Sequence, residues 1–245
     1  MLKEKIALVT GGSNGIGAAT VRLLAEQGAT VVVGYHRGQD RAEALIGTLP
    51  GSGHIAMQVP LEDSAAHAHV AQALTQRFGR LDILVNSAGY TRRIPHADLD
   101  SLTPELFNQL LNANAGGTYS LTRALIPLLQ QSGNGLVVNV SSVAAFTGSG
   151  SNIAYCAAKA AVDTMTLSLA RVFGPAIRFL SVSPASVDTG FVEGRSRAEI
   201  EKKALQSPLG RVVTPEDVAS AVLACATHLK TATGTRLVID GGFTL

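Results

Sequence analysis

Tyr155 and Lys159 lie four residues apart in segment 152–173, which is rich in Ala, Leu and Val and is predicted to be a helix. Positions i and i+4 of a helix share one face, so the phenol and the ammonium can occupy one small volume. A free tyrosine titrates near ~10 and is a weak acid at neutral pH. Because a neighbouring cation favours the phenolate, we expect Lys159 to lower the pKa of Tyr155 and make proton transfer feasible. An accidental pair on a helix surface is the alternative interpretation.

A glycine-rich turn near the N-terminus adds a second chemical feature. Residues 11–17 read Gly-Gly-Ser-Asn-Gly-Ile-Gly, with an apolar, β-branched run before them and a helical pattern after them. Strand, glycine turn and helix form the arrangement that binds dinucleotides, with the pyrophosphate at the helix N-terminus. Gly11 permits the tight turn, Gly15 lets the backbone approach the pyrophosphate, and Gly17 allows close packing of the helix on the sheet.

Taken together, these features resemble the short-chain dehydrogenase/reductase family of the classical type, and the resemblance covers essentially the whole chain. Further motifs stand in the family's order, namely Asn86-Ser-Ala-Gly89, Asn112-Ala-Asn-Ala-Gly-Gly117, Pro184-Ala-Ser-Val-Asp-Thr189 and Asp240-Gly-Gly242. The resemblance implies an oxidoreductase that transfers hydride between a nicotinamide cofactor and a ketone or secondary alcohol.

The resemblance also implies roles for four catalytic residues. Tyr155 would exchange the proton with the substrate oxygen, and Ser142 would donate a hydrogen bond to it. Lys159 would hold the nicotinamide ribose, and Asn114 would position a water that connects Lys159 to solvent. Structural roles are the alternatives for two of them: Ser142 as the cap of a turn, and Asn114 as a backbone partner in a kinked helix.

For two of these roles, a neighbouring residue of the same type is an alternative candidate. Ser142 lies thirteen residues before Tyr155, which is the usual separation in the family and favours it over Ser141. The register of the residues that follow favours Asn114 over Asn112.

Cofactor choice is predicted from the end of the second strand. NAD-preferring relatives carry an acidic residue where Tyr35 stands. With no carboxylate to repel a 2′-phosphate and Arg37 close by to pair with it, we expect NADP, with NAD as the alternative because Asn14 is not basic. The cofactor-binding residues implied by the resemblance are Gly11, Ser13, Asn14, Gly15, Ile16, Gly17, Tyr35, His36, Arg37, Leu61, Asn86, Ala88, Gly89, Tyr155, Lys159, Pro184, Val187 and Thr189.

Strand and helix patterns alternate throughout, which predicts one α/β Rossmann domain over residues 1–245 with a doubly wound, parallel seven-stranded sheet. The predicted strands are 5–10, 29–34, 54–59, 81–86, 135–140, 177–182 and 236–240. The predicted helices are 15–27, 39–48, 63–78, 102–131, 152–173 and 215–228. The polar segment 188–210 interrupts the final crossover and is predicted to be a substrate lid, with a solvated helix pair as the alternative.

Three positions depart from the family pattern. Pro60 stands where relatives usually place an Asp that contacts the adenine, and Asp63 is interpreted as an N-cap of the next helix. Leu180 and Ala185 replace a common Asn and Gly. None of the three belongs to the catalytic set.

The composition bounds the class of protein. The chain is 46% hydrophobic and 16% charged, with a formal charge of +2 and no Lys/Arg run longer than two, so nucleic acid is not an expected partner. No apolar stretch approaches ~20 residues, and we expect neither a membrane span nor a signal peptide. Cys156 and Cys225 form no C-x-x-C pair and suit a cytoplasmic location. His67 and His69 point to different faces of a helix, so no metal site is expected.

The expected partner is a small-molecule ketone or alcohol. A 3-oxoacyl-[acyl-carrier-protein] reductase is the alternative, although segment 124–133 has no basic residues for an acidic carrier. A non-catalytic nucleotide-binding regulatory protein is the alternative from another class. Since the family pairs its long helices 102–131 and 152–173 across a two-fold axis, and segment 237–245 is apolar, we expect a homotetramer, with a homodimer as the alternative.

Overall fold

The computed structural model describes all 245 residues and contains one sheet of seven parallel strands. The strands are β1 (Ile6–Thr10), β2 (Thr30–Tyr35), β3 (Ile55–Gln58), β4 (Ile83–Asn86), β5 (Gly135–Val140), β6 (Ile177–Pro184) and β7 (Thr235–Ile239). The α-helices are α1 (Gly15–Glu26), α2 (Gln39–Ile46), α3 (Ser64–Phe78), α4 (Pro104–Leu111), α5 (Gly117–Gln131), α6 (Ala144–Thr147), α7 (Ile153–Phe173), α8 (Arg197–Ala204) and α9 (Pro215–Thr227). The predicted doubly wound α/β fold is confirmed.

The strands lie in the order β3-β2-β1-β4-β5-β6-β7. From β1 to β3 successive strands are added on one side of β1, and from β4 to β7 they are added on its other side, so the switch point lies between β1 and β4. In an open parallel sheet, such a switch point leaves a crevice beyond the carboxyl ends of the strands. The register pairs Thr10 with Asn86 and Asn86 with Asn139, so the ends of β1, β4 and β5 lie side by side. The residues that follow these three strands are therefore brought to one place.

Apolar side chains alternate across the sheet and build a core on each face. Val31 and Val33 of β2 belong to one buried cluster, which includes residues of α1 and α9, whereas Val32 belongs to the other, which includes residues of α3 and α5. Successive residues of a strand point to opposite faces, so a continuous apolar run is what a sheet covered on both sides requires. None of the helices combines the length and the apolar character needed to cross a membrane.

The predicted helix 102–131 is interrupted. Thr103 caps α4, and a π-helical turn over Asn112–Gly116 separates α4 from α5. Gly117 begins α5 against the carbonyl of Leu61, where a Cβ would lie 2.2 Å from that oxygen. The close approach explains the glycine and fixes α5 beside the loop after β3.

Other helix and strand boundaries differ from the predicted ones by a few residues. β2 ends at Tyr35, one residue beyond the predicted strand, and the short helices α6 and α8 were not predicted. Asp63 caps α3 by accepting hydrogen bonds from the N–H groups of Ala65 and Ala66, as its interpretation as an N-cap requires.

Candidate active site

The first turn of α7 is held rigidly, and this positions Tyr155. Asn152 is fully buried and caps the helix, because its side-chain oxygen accepts a hydrogen bond from the Tyr155 N–H at 2.8 Å. The amide nitrogen of Asn152 donates to the carbonyl of Arg92 at 2.7 Å and to the Thr91 hydroxyl at 3.1 Å. The helix start is thereby tied to the loop after β4, which lines the same crevice.

Lys159 lies one turn further along α7 and is only 6% exposed. Its Nζ donates to the carbonyl of Val140 at the end of β5, at 2.8 Å, and lies 5.7 Å from the centroid of the Tyr155 ring. Burial lowers the pKa of Lys159 to about 8, with the charge of Asp163 opposing the shift. The side chain therefore joins the end of β5 to the face of α7 that carries Tyr155.

The Tyr155 phenol does not have the lowered pKa that its spacing from Lys159 predicts. Burial raises the pKa of Tyr155 to about 12, while hydrogen bonding to Ser142 and the charge of Arg195 act in the opposite direction. The Lys159 ammonium donates its hydrogen bond to the Val140 carbonyl. It does not offset the rise in the pKa of Tyr155 that the loss of hydration causes. Tyr155 is therefore a protonated phenol at neutral pH in this geometry, which is the form that can donate a proton.

The two serines after β5 have different surroundings. Ser142 is partly exposed, interacts with the Tyr155 phenol and accepts a hydrogen bond from the Ala144 N–H at 3.1 Å. Ser141 is buried, and its hydroxyl donates to the Lys159 carbonyl at 3.3 Å. Ser142 thus caps its turn, as the structural alternative predicts, and its hydroxyl also reaches the candidate acid.

Asn114 lies in the π-helical turn and is 1% exposed. Its side-chain nitrogen donates to the carbonyls of Tyr90 and Leu110, both at 2.9 Å, and its side-chain oxygen is buried without a hydrogen-bond partner. The side-chain amide therefore forms hydrogen bonds with the backbone, as the alternative structural role of Asn114 predicts. Its side-chain oxygen remains available to accept a hydrogen bond. Asn112, the alternative candidate for the catalytic asparagine, is exposed.

A cavity of about 480 Å³ extends from the glycine turn to α7 and the segment after β6. Most of the predicted site residues line it, namely Gly11, Ser13, Asn14, Gly15, Ile16, Gly17, His36, Arg37, Leu61, Ala88, Gly89, Ser142, Tyr155, Lys159, Pro184, Val187 and Thr189. Three predicted site residues do not line the cavity: Tyr35, Asn86 and Asn114. The structure therefore assembles the predicted catalytic and cofactor residues around one space, with these exceptions.

Tyr35 and Asn86, which are predicted to bind the cofactor, lie outside the lining of the cavity. Tyr35 packs against the core cluster under α1 and α9. Asn86 is 5% exposed, and its amide nitrogen donates to Thr122 at 3.1 Å and to Asn139 at 2.8 Å. The side chain of Asn86 thus links β4 to β5 and α5.

The glycine turn has the shape that a dinucleotide phosphate requires. Gly11 has φ +63° and Gly15 has φ +49°, a backbone region that favours glycine. A Cβ on Gly17 would lie 2.2 Å from the Gly11 carbonyl oxygen, so any other residue would push the turn away from the helix. Asn14 caps α1, and no acidic residue stands in the first turn of that helix to oppose an anion.

Pro60 belongs to a loop that a histidine holds in place. The Nε2 atom of His67 lies 2.7 Å from the Pro60 carbonyl oxygen, its Nδ1 lies 2.9 Å from the Ser120 hydroxyl, and burial lowers the pKa of His67. His67 is therefore a structural residue. Val59 and Leu61, on either side of Pro60, line the cavity and present apolar surface there.

Sequence reasoning missed several residues that line the cavity. Arg41, in the first turn of α2, lies beside Gly38 together with Ser13, since a Cβ on Gly38 would be 2.5 Å from the Arg41 guanidinium and 3.1 Å from the Ser13 hydroxyl. The sequence feature that could have indicated Arg41 is its position four residues after Arg37. Other lining residues that were not predicted include Tyr90, Phe191, Arg195 and Lys203.

Comparisons with known proteins agree with this geometry. A family model described as enoyl-(acyl carrier protein) reductase matches residues 11–244. A protein of Streptomyces violaceoruber described as a ketoacyl reductase of granaticin polyketide synthase is 40% identical over 239 residues, which cover 97% of this chain and 95% of that protein. The 3alpha-hydroxysteroid dehydrogenase of Mediterraneibacter gnavus is 34% identical over 246 residues, which cover 98% of this chain and 97% of that protein. The crystal structure of 3-ketoacyl-(acyl-carrier-protein) reductase from Brucella melitensis complexed with NADH is 30% identical and superposes with a TM-score of 0.89 over 100% of both chains.

The fold and the site define a dinucleotide-binding α/β protein with a Tyr-Lys pair at the switch point of its sheet. The chain belongs to the short-chain dehydrogenase/reductase family and is an oxidoreductase that acts on CH–OH or ketone groups.

Proposed function

We propose that this protein reduces a ketone to a secondary alcohol with NADPH, or runs the reverse reaction, and that Tyr155 is its general acid and base. One observation carries the proposal. Tyr155, Ser142 and Lys159 line one end of a cavity whose other end is the glycine turn. A cofactor seated on the turn would place its reactive ring near the phenol.

Each side chain of the set has a distinct task in ketone reduction. A bound nicotinamide cofactor would supply the hydride. Tyr155, protonated at neutral pH, donates its phenolic proton to the substrate oxygen as negative charge develops there. Ser142 donates a hydrogen bond to the same oxygen and stabilises that charge. Lys159 holds positive charge beside the phenol and stabilises the phenolate that forms.

Turnover on a panel of ketones and secondary alcohols, with NADPH and NADH in parallel, tests this function. We expect cofactor oxidation that depends on an added ketone and is abolished by heat denaturation of the protein. A protein that binds the cofactor but turns over no substrate in either direction would contradict the proposal and would favour a regulatory role.

The preference for NADP is supported by two guanidinium groups. Arg37 and Arg41 line the end of the cavity near Ser13, and no Asp or Glu is among the residues that line any part of it. A carboxylate at this place would repel the 2′-phosphate, whereas a guanidinium forms charge-assisted hydrogen bonds with it. Tyr35 packs against the core cluster and does not line the cavity, so we assign the selection of the cofactor to Arg37 and Arg41.

Replacement of either arginine by alanine should weaken NADP binding selectively. A hydrogen bond to a charged group contributes about 1.5–3 kcal/mol, so Arg41→Ala is expected to raise the Kd for NADP about tenfold to a hundredfold and to leave NAD binding unchanged. Calorimetric titration with both cofactors measures this. Arg22→Ala, on the exposed face of α1, removes the same charge away from the cavity and is the control. Equal weakening of NAD and NADP by Arg41→Ala would contradict the assignment.

Segment 188–210 has the contacts of a lid over the phenol. Phe191 packs against Tyr155 with ring centroids 5.8 Å apart. Arg93, on the loop after β4, donates to the Gly194 carbonyl at 3.1 Å and to the Glu199 carboxylate at 2.7 and 3.2 Å. The segment is thus fastened across the mouth of the cavity, and we assign it the role of excluding water during turnover.

A homotetramer is the proposed assembly, with a homodimer as the alternative. Leu167 and Val172 on α7 are 44% and 71% exposed, and Val238 on the edge strand β7 is 40% exposed. Apolar surface on an edge strand and on a long helix suits subunit contacts.

Light scattering at micromolar concentration should give four times the mass of the 25.3 kDa chain. Leu167→Arg should lower this mass, because it would bury a charge between subunits. Leu99→Arg, at an exposed loop residue outside α7 and β7, is the control and should leave the mass unchanged. A monomeric mass for the unmodified chain would contradict the proposed assembly.

We also propose a cytoplasmic location for this enzyme. Cys156 and Cys225 are free and buried. Burial raises the pKa of both thiols, which makes them unreactive at neutral pH, so each acts as a small apolar residue in a reducing compartment.

A further inference from the structure

Two cations on the lid line the cavity and have no part in the proposed chemistry. Arg195 precedes α8, and Lys203 lies in its last turn. Neither belongs to any of the seven ion pairs of the chain. The side chain of Arg195 makes one hydrogen bond, from Nη1 to the Ser186 hydroxyl at 3.3 Å. Both charges therefore lack a carboxylate partner within the protein.

Glu199, whose charge acts on both cations, is already paired with another arginine. Glu199 accepts hydrogen bonds from both terminal nitrogens of Arg93, and this bonding lowers the pKa of Glu199 to about 2. Its negative charge is thus balanced by Arg93. Because the lining of the cavity contains no Asp or Glu, the charges of Arg195 and Lys203 remain in excess at this end.

The excess charge lies close to the reacting groups. Arg195 is partly buried, and burial lowers its pKa, whereas the charge of the nearby Tyr155 phenolate would raise it. Arg195 in turn opposes the rise in the pKa of Tyr155. A guanidinium that is partly removed from water gains from an anionic partner, and its planar fork fits a carboxylate or a phosphate.

We infer that the substrate carries an anionic group, a carboxylate or a phosphate, remote from its carbonyl, and that Arg195 and Lys203 bind that group. The inference rests on the proposed function, since it names the class of ketone or alcohol that the same site accepts. The anion would lie under the lid, on the substrate side of Tyr155, while Arg37 and Arg41 serve the cofactor at the opposite end.

Matched pairs of ketones test the inference. The first arm compares 4-oxopentanoate, 5-oxohexanoate and 6-oxoheptanoate with their methyl esters. The second arm compares 5-oxohexyl phosphate with 6-hydroxyhexan-2-one, which lacks the phosphate. We expect kcat/KM for the best anionic member to exceed that of its neutral partner by about tenfold to a hundredfold. The arm with the larger ratio identifies the anion as a carboxylate or as a phosphate ester.

Variants assign the preference to the two cations. Arg195→Gln should lower the ratio of anionic to neutral kcat/KM to near one, and Lys203→Gln should lower it in part. Lys202→Gln removes the same charge from the adjacent residue, which is exposed like Lys203 but lies outside the cavity, and it should keep the ratio of the unmodified enzyme. Ratios at or below one for the unmodified enzyme in both arms would overturn the inference, and so would an Arg195→Gln variant that keeps the preference.

A binding measurement separates the failure of this inference from the failure of the proposed function. If no ketone or alcohol of the panel or of either arm is turned over, the proposed function fails, and calorimetric titration of 5-oxohexanoate and its methyl ester into the protein with NADP then decides the inference. Tighter binding of the acid that disappears in Arg195→Gln supports an anion site. Equal binding of acid and ester overturns it.

Discussion

Tyr155→Phe is expected to lower kcat for ketone reduction by about 10²–10⁴-fold, since that is the usual contribution of a positioned general acid. The substitution removes the phenolic proton and its interaction with Ser142 and keeps the ring that packs against Phe191. The Kd for NADP and the melting temperature should therefore stay close to those of the unmodified protein. Steady-state kinetics, cofactor fluorescence titration and thermal unfolding measure the three quantities.

Tyr119→Phe is the matched control, because Tyr119 is 49% exposed on α5 and lies outside the cavity. That variant should keep the kcat of the unmodified enzyme. Retention of more than about a tenth of the wild-type kcat by Tyr155→Phe would contradict the assigned role.

Lys159→Met is expected to lower kcat about as severely as Tyr155→Phe while making the fold more stable. The pKa of Lys159 falls from 10.5 to about 8 on folding, so the buried ammonium costs about 3 kcal/mol at pH 7. Loss of the hydrogen bond to the Val140 carbonyl offsets about 1 kcal/mol of the gain. The net increase in the free energy of unfolding is about 2 kcal/mol, or roughly 4–8 °C in Tm for a chain of this size.

The pH dependence gives this prediction a definite sign. Between about pH 8 and pH 10.5, Lys159 with its lowered pKa binds fewer protons in the folded state than in the unfolded state. The free energy of unfolding therefore rises with pH in that range. The stability difference between Lys159→Met and the unmodified protein should therefore be full below pH 8 and shrink above it. Lys202→Met, at an exposed position, should leave Tm unchanged. A lower Tm for Lys159→Met at pH 7 would contradict the argument.

The order of strands and helices was predictable because it depends on local patterns. Continuous apolar runs mark strands that are buried on both faces, and the glycine turn marks the first crossover. The catalytic cluster was predictable for the same reason, since Ser142 follows one such strand and Tyr155 and Lys159 share a helix face.

Features that depend on distant partners were less predictable. β2 continues one residue further than predicted, Tyr35 packs against the core, and Arg41 from the next helix lines the cofactor end of the cavity. The partners of Asn86 are Asn139 and Thr122, which lie far along the chain. The raised pKa of Tyr155 depends on how deeply the fold buries the phenol, and helical spacing alone does not determine burial.

Transfer of deuterium tests the central claim most directly. NADPH that carries deuterium at both C4 positions of the dihydronicotinamide is mixed with the protein and a reducible ketone, and the alcohol is analysed by mass spectrometry and NMR. We expect one deuterium on the carbinol carbon of each alcohol formed, and at least about a hundredfold less alcohol per unit time with Tyr155→Phe. An alcohol without deuterium at that carbon, or bound cofactor without any alcohol across the ketone panel, would contradict the claim.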